Sequence, residues 1–361
     1  LIWSLFPFFS SFFQILINSL PIGDGFSTFL RELFSSFSGK IKKLPPYFKI
    51  GQIFIKGENV EFFLQQMVNG FSLGSIYALI AIGYTLVYGV LRLINFAHGD
   101  IMMVGAFITF MLVTLGKVPF PVAVLLTLVL TGIVGILTHQ VAYRPLLESN
   151  APKISLLITA IGISFFLESL FNLIANSVFG NSYQAFPAPS YLTKMVSIGG
   201  IQVTLLTLIV PLLTLAILGA LLYLLYRTRL GIAIRALAFD IQTVKLMGVD
   251  TNLVIMGVFF LGSILAGLGG IIYATAYPSI DPYMGMLVGL KAFAAAVVGG
   301  IGSVTGAVIG GFILGFVEIV IPGFFPELGG YKDAFAFILL IFVLLFRPTG
   351  IMGIDFEKTR F

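Results

Sequence analysis

The sequence has no cysteine and only two histidines, His98 and His139. Disulfides and thiolate metal sites are thereby excluded, and two imidazoles fall short of the ligand set of a zinc centre, so no metal site is expected. Charge is scarce as well: Asp, Glu, Lys and Arg make up 10% of the chain against 58% hydrophobic residues, with a mean hydropathy of +1.08. Water could not dissolve such a chain as a globule, and it reads as an all-α, polytopic protein of the lipid bilayer. The net charge of +5 does not call for nucleic acid, because Lys and Arg fall in short loops between apolar segments, where orientation in the membrane accounts for them. A phosphate-cradling Gly-x-x-x-x-Gly-Lys-Ser/Thr loop is missing, and the scattered Asp, Glu and His offer no convergent nucleophile, base or metal set. The chain therefore reads as something other than an enzyme.

A span needs about 20 apolar residues at the rise of an α-helix. The windows that qualify are residues 62–90, 96–115, 120–143, 154–175, 203–226, 253–274, 284–301, 305–321 and 334–346, giving eight or nine crossings with two broken or short helices. One break is Ile94-Asn95-Phe96-Ala97-His98-Gly99-Asp100, which puts an amide, an imidazole and a carboxylate between two apolar runs. Such groups are costly in hydrocarbon, and non-helical backbone at that depth survives only where protein or a water-filled cavity covers it. The other is the short segment carrying Lys291, which meets its successor at Gly299-Gly300-Ile301-Gly302-Ser303. Glu168 and Glu318 also fall inside spans, and no partner for either is legible.

Orientation follows from the basic loops. Arg227, Arg229, Arg235 and Lys245 occupy residues 227–250, and Arg144 and Lys153 flank another loop, so both should face the cytoplasm. Loops 176–200 and 277–283 hold one lysine, Lys194, between them and should face outward. Residues 1–60 fit this scheme badly: a span near residues 1–20 would leave Lys40, Lys42, Lys43, Lys49 and Lys56 outside, and a signal peptide should carry a basic residue ahead of an uninterrupted apolar run, which Pro7 breaks. Two readings stand. Either translation begins near Val60, downstream of Lys56-Gly57-Glu58, whose codons can contain a ribosome-binding sequence, or the segment is an interfacial extension.

Taken together, Asn69 to Leu79 (Asn-Gly-Phe-Ser-Leu-Gly-Ser-Ile-Tyr-Ala-Leu), the Ile94–Asp100 stretch, Ala142-Tyr143-Arg144-Pro145-Leu146, Ala160-Ile161-Gly162-Ile163-Ser164, Arg229-Leu230-Gly231 with Arg235-Ala236, Lys291-Ala292-Phe293 with Gly299 to Ser303, and Arg347-Pro348-Thr349-Gly350 resemble the branched-chain amino-acid permeases of ATP-binding-cassette (ABC) importers. The resemblance covers residues 61–353 in family order, closer to the smaller permease subunit, and leaves 354–361 as a cytoplasmic tail. It implies a multi-pass protein of the bacterial inner membrane that works with a second, LivM-like permease subunit, two cytoplasmic ATPases of the LivG and LivF kind, and an extracytoplasmic substrate-binding protein. It also implies that ATP-Mg is used by the partner ATPases, with no cofactor on this chain. Urea and short amides are the alternative cargo, and an ion-coupled secondary transporter is a rival from another class.

Candidate residues follow. Asn95, His98 and Asp100, with Tyr77 and Tyr84, are candidates for the substrate path, either lining a polar cavity or bonding the backbone freed by the break; Tyr88 and Asp281 are weaker ones. Residues 231–247 read as one amphipathic helix with Ile234, Leu237, Ala238 and Ile241 on its apolar side and Gly248 ending it. It resembles the coupling helix of ABC permeases, with Arg229, Gly231, Arg235, Ala236, Ala238, Asp240 and Gly248 at matching positions and Val244 where the family often has alanine. Gly299, Gly300, Gly302, Ser303, Gly306 and Gly310, with Gly311 and Gly315, should form a face of bare backbone for close helix packing. His139 should sit at the membrane interface.

Overall fold

The computed structural model describes residues 57–149, 151–198 and 201–353. The readings of residues 1–56 and of the tail 354–361 lie outside the described residues. The elements in chain order are α1 Gly57–Leu91, α2 Ala97–Thr114, α3 Phe120–Thr138, a π-turn His139–Tyr143, α4 Arg144–Glu148, α5 Lys153–Phe179, β1 Gln184–Ala185, α6 Ser190–Thr193, β2 Met195–Ile198, β3 Ile201–Thr204, α7 Leu205–Arg227, α8 Arg229–Phe239, α9 Ile241–Leu246, α10 Thr251–Ala276, β4 Ser279–Ile280, α11 Met284–Gly299, α12 Val304–Phe324, a 3₁₀ turn Pro326–Tyr331 and α13 Lys332–Phe346. Among the described residues, eight helices are long and apolar enough to cross a membrane, and α11 is a shorter apolar ninth. At 16 residues α11 is about 24 Å long, short of the roughly 30 Å of a bilayer's hydrocarbon.

The long helices are apolar almost all round, so periodicity does not say which are central. Side-chain size does. With lipid as greasy as leucine, helices associate by close packing, and α10 carries Gly262, Gly267, Gly269 and Gly270 against Gly83, Gly105 and Thr131, Ile80, and Met102 respectively. These contacts bury α1, α2 and α10 in the interior, while the leucine-rich α3, α5, α7 and α13 present most of their surface outward.

Three irregularities position the polar groups. Helix α1 stops at Leu91, Arg92 takes a left-handed φ of 52°, and the chain re-enters helix only at Ala97. The end of α3 widens into a π-turn in which Arg144 N–H bonds to His139 O. Pro145, next in line, has no N–H to give, and a wider turn lets the helix continue past the freed carbonyl. The π-turn points His139 inward among its neighbours: the residue is 1% exposed and its ring lies 5.2 Å from that of Phe259.

The third is the α11–α12 junction. Gly300 and Gly302 adopt φ of 114° and 94°, a region costly for any residue with a Cβ. Ser303 Oγ then caps α12 by accepting from Gly306 N at 3.1 Å. The glycine face predicted here is two faces and a turn: Gly299, Gly306 and Gly310 pack α12 against α11, Gly311 and Gly315 pack it against Ala78 and Gly74 of α1, and Gly302 serves by its conformation. A four-residue step advances about 400°, so a run of glycines drifts around the helix and can serve two neighbours. The Arg347-Pro348-Thr349-Gly350 turn folds the chain back on this junction, with Ile351 N bonding to Val298 O at 3.0 Å and Met352 N to Gly299 O at 2.8 Å. Two carbonyls that the end of α11 would leave open are thereby satisfied.

The connections predicted to face outward carry the small sheets. β1 pairs with β4, Gln184 opposite Ile280, and β2 pairs with β3. Gln65 holds the second hairpin by donating to Gln202 O at 2.8 Å and accepting from Gln202 N at 2.7 Å.

Candidate functional site

The polar stretch at the first break disperses its side chains to three different helices. Asn95 Oδ1 accepts from the Tyr143 hydroxyl at 3.0 Å, at the end of the π-turn. The His98 ring lies 4.4 Å from that of Tyr84 on α1. Asp100 Oδ2 accepts from Ser164 Oγ on α5, one helical turn from the buried Glu168. Asn95 and His98 are therefore not side by side on one helix face, because Asn95 precedes α2 in non-helical backbone. Among the described residues their side chains make no hydrogen bond to that freed backbone, and the loop is met instead by His98 N bonding to Asn95 O at 3.1 Å.

Asn95, His98 and Asp100 are 3%, 1% and 1% exposed, so the cluster is closed. Among the described residues, neither Asp100 nor Glu168 makes an ion pair. Asp100 stands in the first turn of α2, where the helix terminus favours negative charge, and among the described residues its Oδ1 has no hydrogen-bond partner. Gly285 and Gly289 bring the first turns of α11 against Gly99 and Asp100, leaving room there for the Asp100 carboxylate and the Tyr84 hydroxyl. The result is a closed group of polar side chains where the starts of α2 and α11 meet, held by α1, the α3 π-turn and α5.

Tyr77 does not belong to this group. Its hydroxyl donates to Glu318 Oε2 at 2.8 Å, and Glu318 Oε1 pairs with Lys291 Nζ at 2.7 Å. Lys291 also reaches Asp333 Oδ1 at 2.5 Å. The partner that Glu318 lacked in the sequence is thus Lys291, one of two unusual residues in neighbouring windows whose separation obeys no local rule. Asp281 is a local cap: its carboxylate accepts from Tyr283 N at 2.9 Å, just ahead of α11. Sequence reasoning missed the parts of Tyr143, Ser164 and Asp333. The first two stand in quoted motifs, and Ser164 with Glu168 has the i, i+4 spacing that puts two polar groups on one face of an apolar helix.

The basic loop is two helices where one was expected. Asp240 leaves helical geometry at φ −156° and caps α9, accepting from Gln242 N at 2.9 Å and Thr243 Oγ1 at 2.6 Å. A carboxylate offered to free N–H groups competes with continuation of the first helix. Gly231 packs against the Leu224 and Leu225 carbonyls at the end of α7. Arg229 opens α8 behind the Thr228 cap, Arg235 lies 5.0 Å from the ring centre of Tyr226, and Gly248 closes α9 in the left-handed region at φ 79°. Ile234, Leu237 and Val244 face inward, so Val244 is not on an outer contact surface. Ala236 and Ala238 are half-buried, and Arg92 Nη2 donates to Ala238 O at 2.7 Å, tying this loop to the first break. The side chains left outward include Ile232, Arg235, Phe239, Gln242, Lys245, Leu246 and Met247.

Residues 66–344 match the family described as branched-chain amino acid transport system, permease component. The chain is 40% identical over 302 residues to the high-affinity branched-chain amino acid transport permease BraD of Pseudomonas aeruginosa, covering 81% of this chain and 96% of that protein. It is 38% identical over 310 residues to the corresponding permease LivH of Escherichia coli, covering 82% and 97%. A probable LivH permease of Methanocaldococcus jannaschii is 30% identical over 295 residues, covering 79% and 91%. No solved structure matches.

Proposed function

This chain belongs to the branched-chain amino-acid transport permease family, and from that premise we propose that it is the membrane-path subunit through which an ABC importer moves branched-chain amino acids across a bacterial inner membrane. The observation that carries the reading is identity along nearly the whole length of permeases named for that cargo, joined to eight apolar spans and two interrupted helices. Urea and short amides are not favoured by these relatives. Residues 61–353 are the permease domain.

The division of labour is part of the proposal. ATP-Mg is hydrolysed by two LivG/LivF-like ATPases, a LivM-like subunit supplies the other half of the path, and an extracytoplasmic binding protein delivers cargo. Asn95, His98, Asp100 and Tyr84 lie on the path, and the free Oδ1 of Asp100 suits the ammonium of an amino acid. Because that cluster is buried, cargo meets it only when α1, α2 and α11 separate. The outward face of α8 and α9 receives the ATPase.

The test is uptake by vesicles holding this chain with its partner subunits and loaded binding protein. ATP-dependent accumulation of labelled leucine, competed by valine and not by urea, is the expected result. Uptake of urea with none of leucine would overturn the cargo assignment, and uptake driven by an ion gradient without ATP would overturn the ABC reading.

A further inference from the structure

The Lys291 group contains one cation and two carboxylates, and the two links differ in what breaking them would leave behind. Lys291, Glu318 and Tyr77 are 4%, 4% and 1% exposed, whereas the Asp333 side chain is 39% exposed. Opening Lys291 from Glu318 would leave the buried Glu318 carboxylate in the apolar interior without its cation, which is strongly unfavourable. Opening Lys291 from Asp333 costs less: Lys291 keeps Glu318, and Asp333, whose Oδ1 is buried against Lys291 while its side chain as a whole is 39% exposed, can turn to water and keeps the N-terminus of α13, in whose first turn it stands.

Helix α13 is the element such a link would release. Ala336 is its one buried residue among those described, and its neighbours are α11, α12 and the 3₁₀ turn ahead of it. Both of its ends are fastened to α11, at one end through Asp333 to Lys291 and at the other through the bonds from Ile351 and Met352 to Val298 and Gly299. Helix α11 in turn packs on the buried polar cluster, through Gly289 on Gly99 and Phe293 on Tyr84 and Phe96.

We propose that Lys291 divides its charge between a permanent pin, Glu318 with Tyr77, and a releasable clasp, Asp333, so that α13 can swing from α11 at its Asp333 end during transport without burying an unpaired charge. Lys291 and Asp333 are positioning residues: they govern how easily α11 moves against the polar cluster and touch no cargo. The idea rests on the permease reading for its consequence in transport, but the clasp can be examined without it.

The experiment compares Asp333→Asn, Asp333→Glu and Glu318→Gln in the purified full-length permease and in the complex with its ATPases. Amide exchange read on the permease alone should quicken by about three- to fivefold across residues 335–343 in Asp333→Asn, the size expected of a partly exposed ion pair, with α1 and α12 unchanged. Asp333→Glu should restore the wild-type rate, and Glu318→Gln should loosen α1, α11 and α12 together. In the complex, Asp333→Asn should raise ATP hydrolysis in the absence of binding protein by a similar factor while leaving the KM for loaded binding protein unchanged. Unchanged exchange in Asp333→Asn, or loosening as widespread as in Glu318→Gln, would overturn the clasp. Unchanged resting hydrolysis despite faster exchange would overturn its role in transport. Failure of the permease reading would show separately, as absence of leucine uptake by the wild-type complex.

Discussion

Lys291→Met is the perturbation whose cost can be worked most directly from the structure. Methionine nearly matches the lysine stem in volume, so packing is little disturbed and the loss is electrostatic. Glu318, 4% exposed, keeps the Tyr77 hydroxyl at 2.8 Å as its one hydrogen-bond partner among the described residues, whereas the Asp333 side chain is 39% exposed and can turn to water. Breaking a buried pair from one side costs about 3 to 5 kcal/mol, mostly as an uncompensated charge. A factor of at least about 100 in the folding equilibrium follows. Removing both charges, in Lys291→Met with Glu318→Leu, strands the Tyr77 hydroxyl instead, at a cost of about 1 to 3 kcal/mol. The double variant should therefore be more stable than either single one, with an interaction energy of about 2 kcal/mol or more in the cycle. Adding Tyr77→Phe should recover most of the remainder. Denaturant-induced unfolding in detergent at matched protein concentration is the assay. Single variants within about 1 kcal/mol of wild type, or a double variant whose loss equals the sum of the singles, would refute a buried pair that needs both members.

Asn95→Leu and His98→Leu should each lower leucine uptake at least severalfold with membrane insertion intact, because Tyr143 loses its hydrogen-bond acceptor and Tyr84 the imidazole ring packed against it; full uptake by both would remove this cluster from the path. Gly306→Leu should reduce folded protein by about 1 to 3 kcal/mol of overpacking, since a Cβ there meets the Gly299 carbonyl group, and a normal yield in size-exclusion chromatography would refute that close approach. Phe239→Ala on the outward side of α8 should weaken retention of the ATPase subunits and reduce substrate-stimulated hydrolysis, whereas Gln242→Ala beside it should do so far less; equal behaviour would argue against α8 as the contact. Ala238→Arg should likewise cut stimulated hydrolysis, and wild-type activity in the purified complex would count against this loop as the coupling element.

Much of the fold was legible because a bilayer makes one demand, long apolar helices whose backbone satisfies itself, and that demand is written in local composition. The windows, the interrupted segments around Asn95 and Lys291, and the family resemblance all came from short stretches of neighbouring residues. What no stretch could reveal was which helix meets which. In uniformly apolar helices the interior is chosen by where bare glycine backbone meets a complementary surface, a property of pairs of helices, and so α10 could not be ranked above α3. The same holds for charge. Lys291 announced that it needed a partner, but only the packing of α11 on α12 and α13 brings Glu318 and Asp333 to it, from 27 and 42 residues away. Local competition decided the rest: Asp240 split a helix by capping the next one, and Pro145 followed a widened turn that carried His139 inward. Sequence by itself determined that this chain crosses a membrane and which family it resembles, because both depend on residues near one another in the chain. The closed polar cluster and the shared lysine were decided by tertiary structure, because a buried charge is stable only where distant helices place its partner.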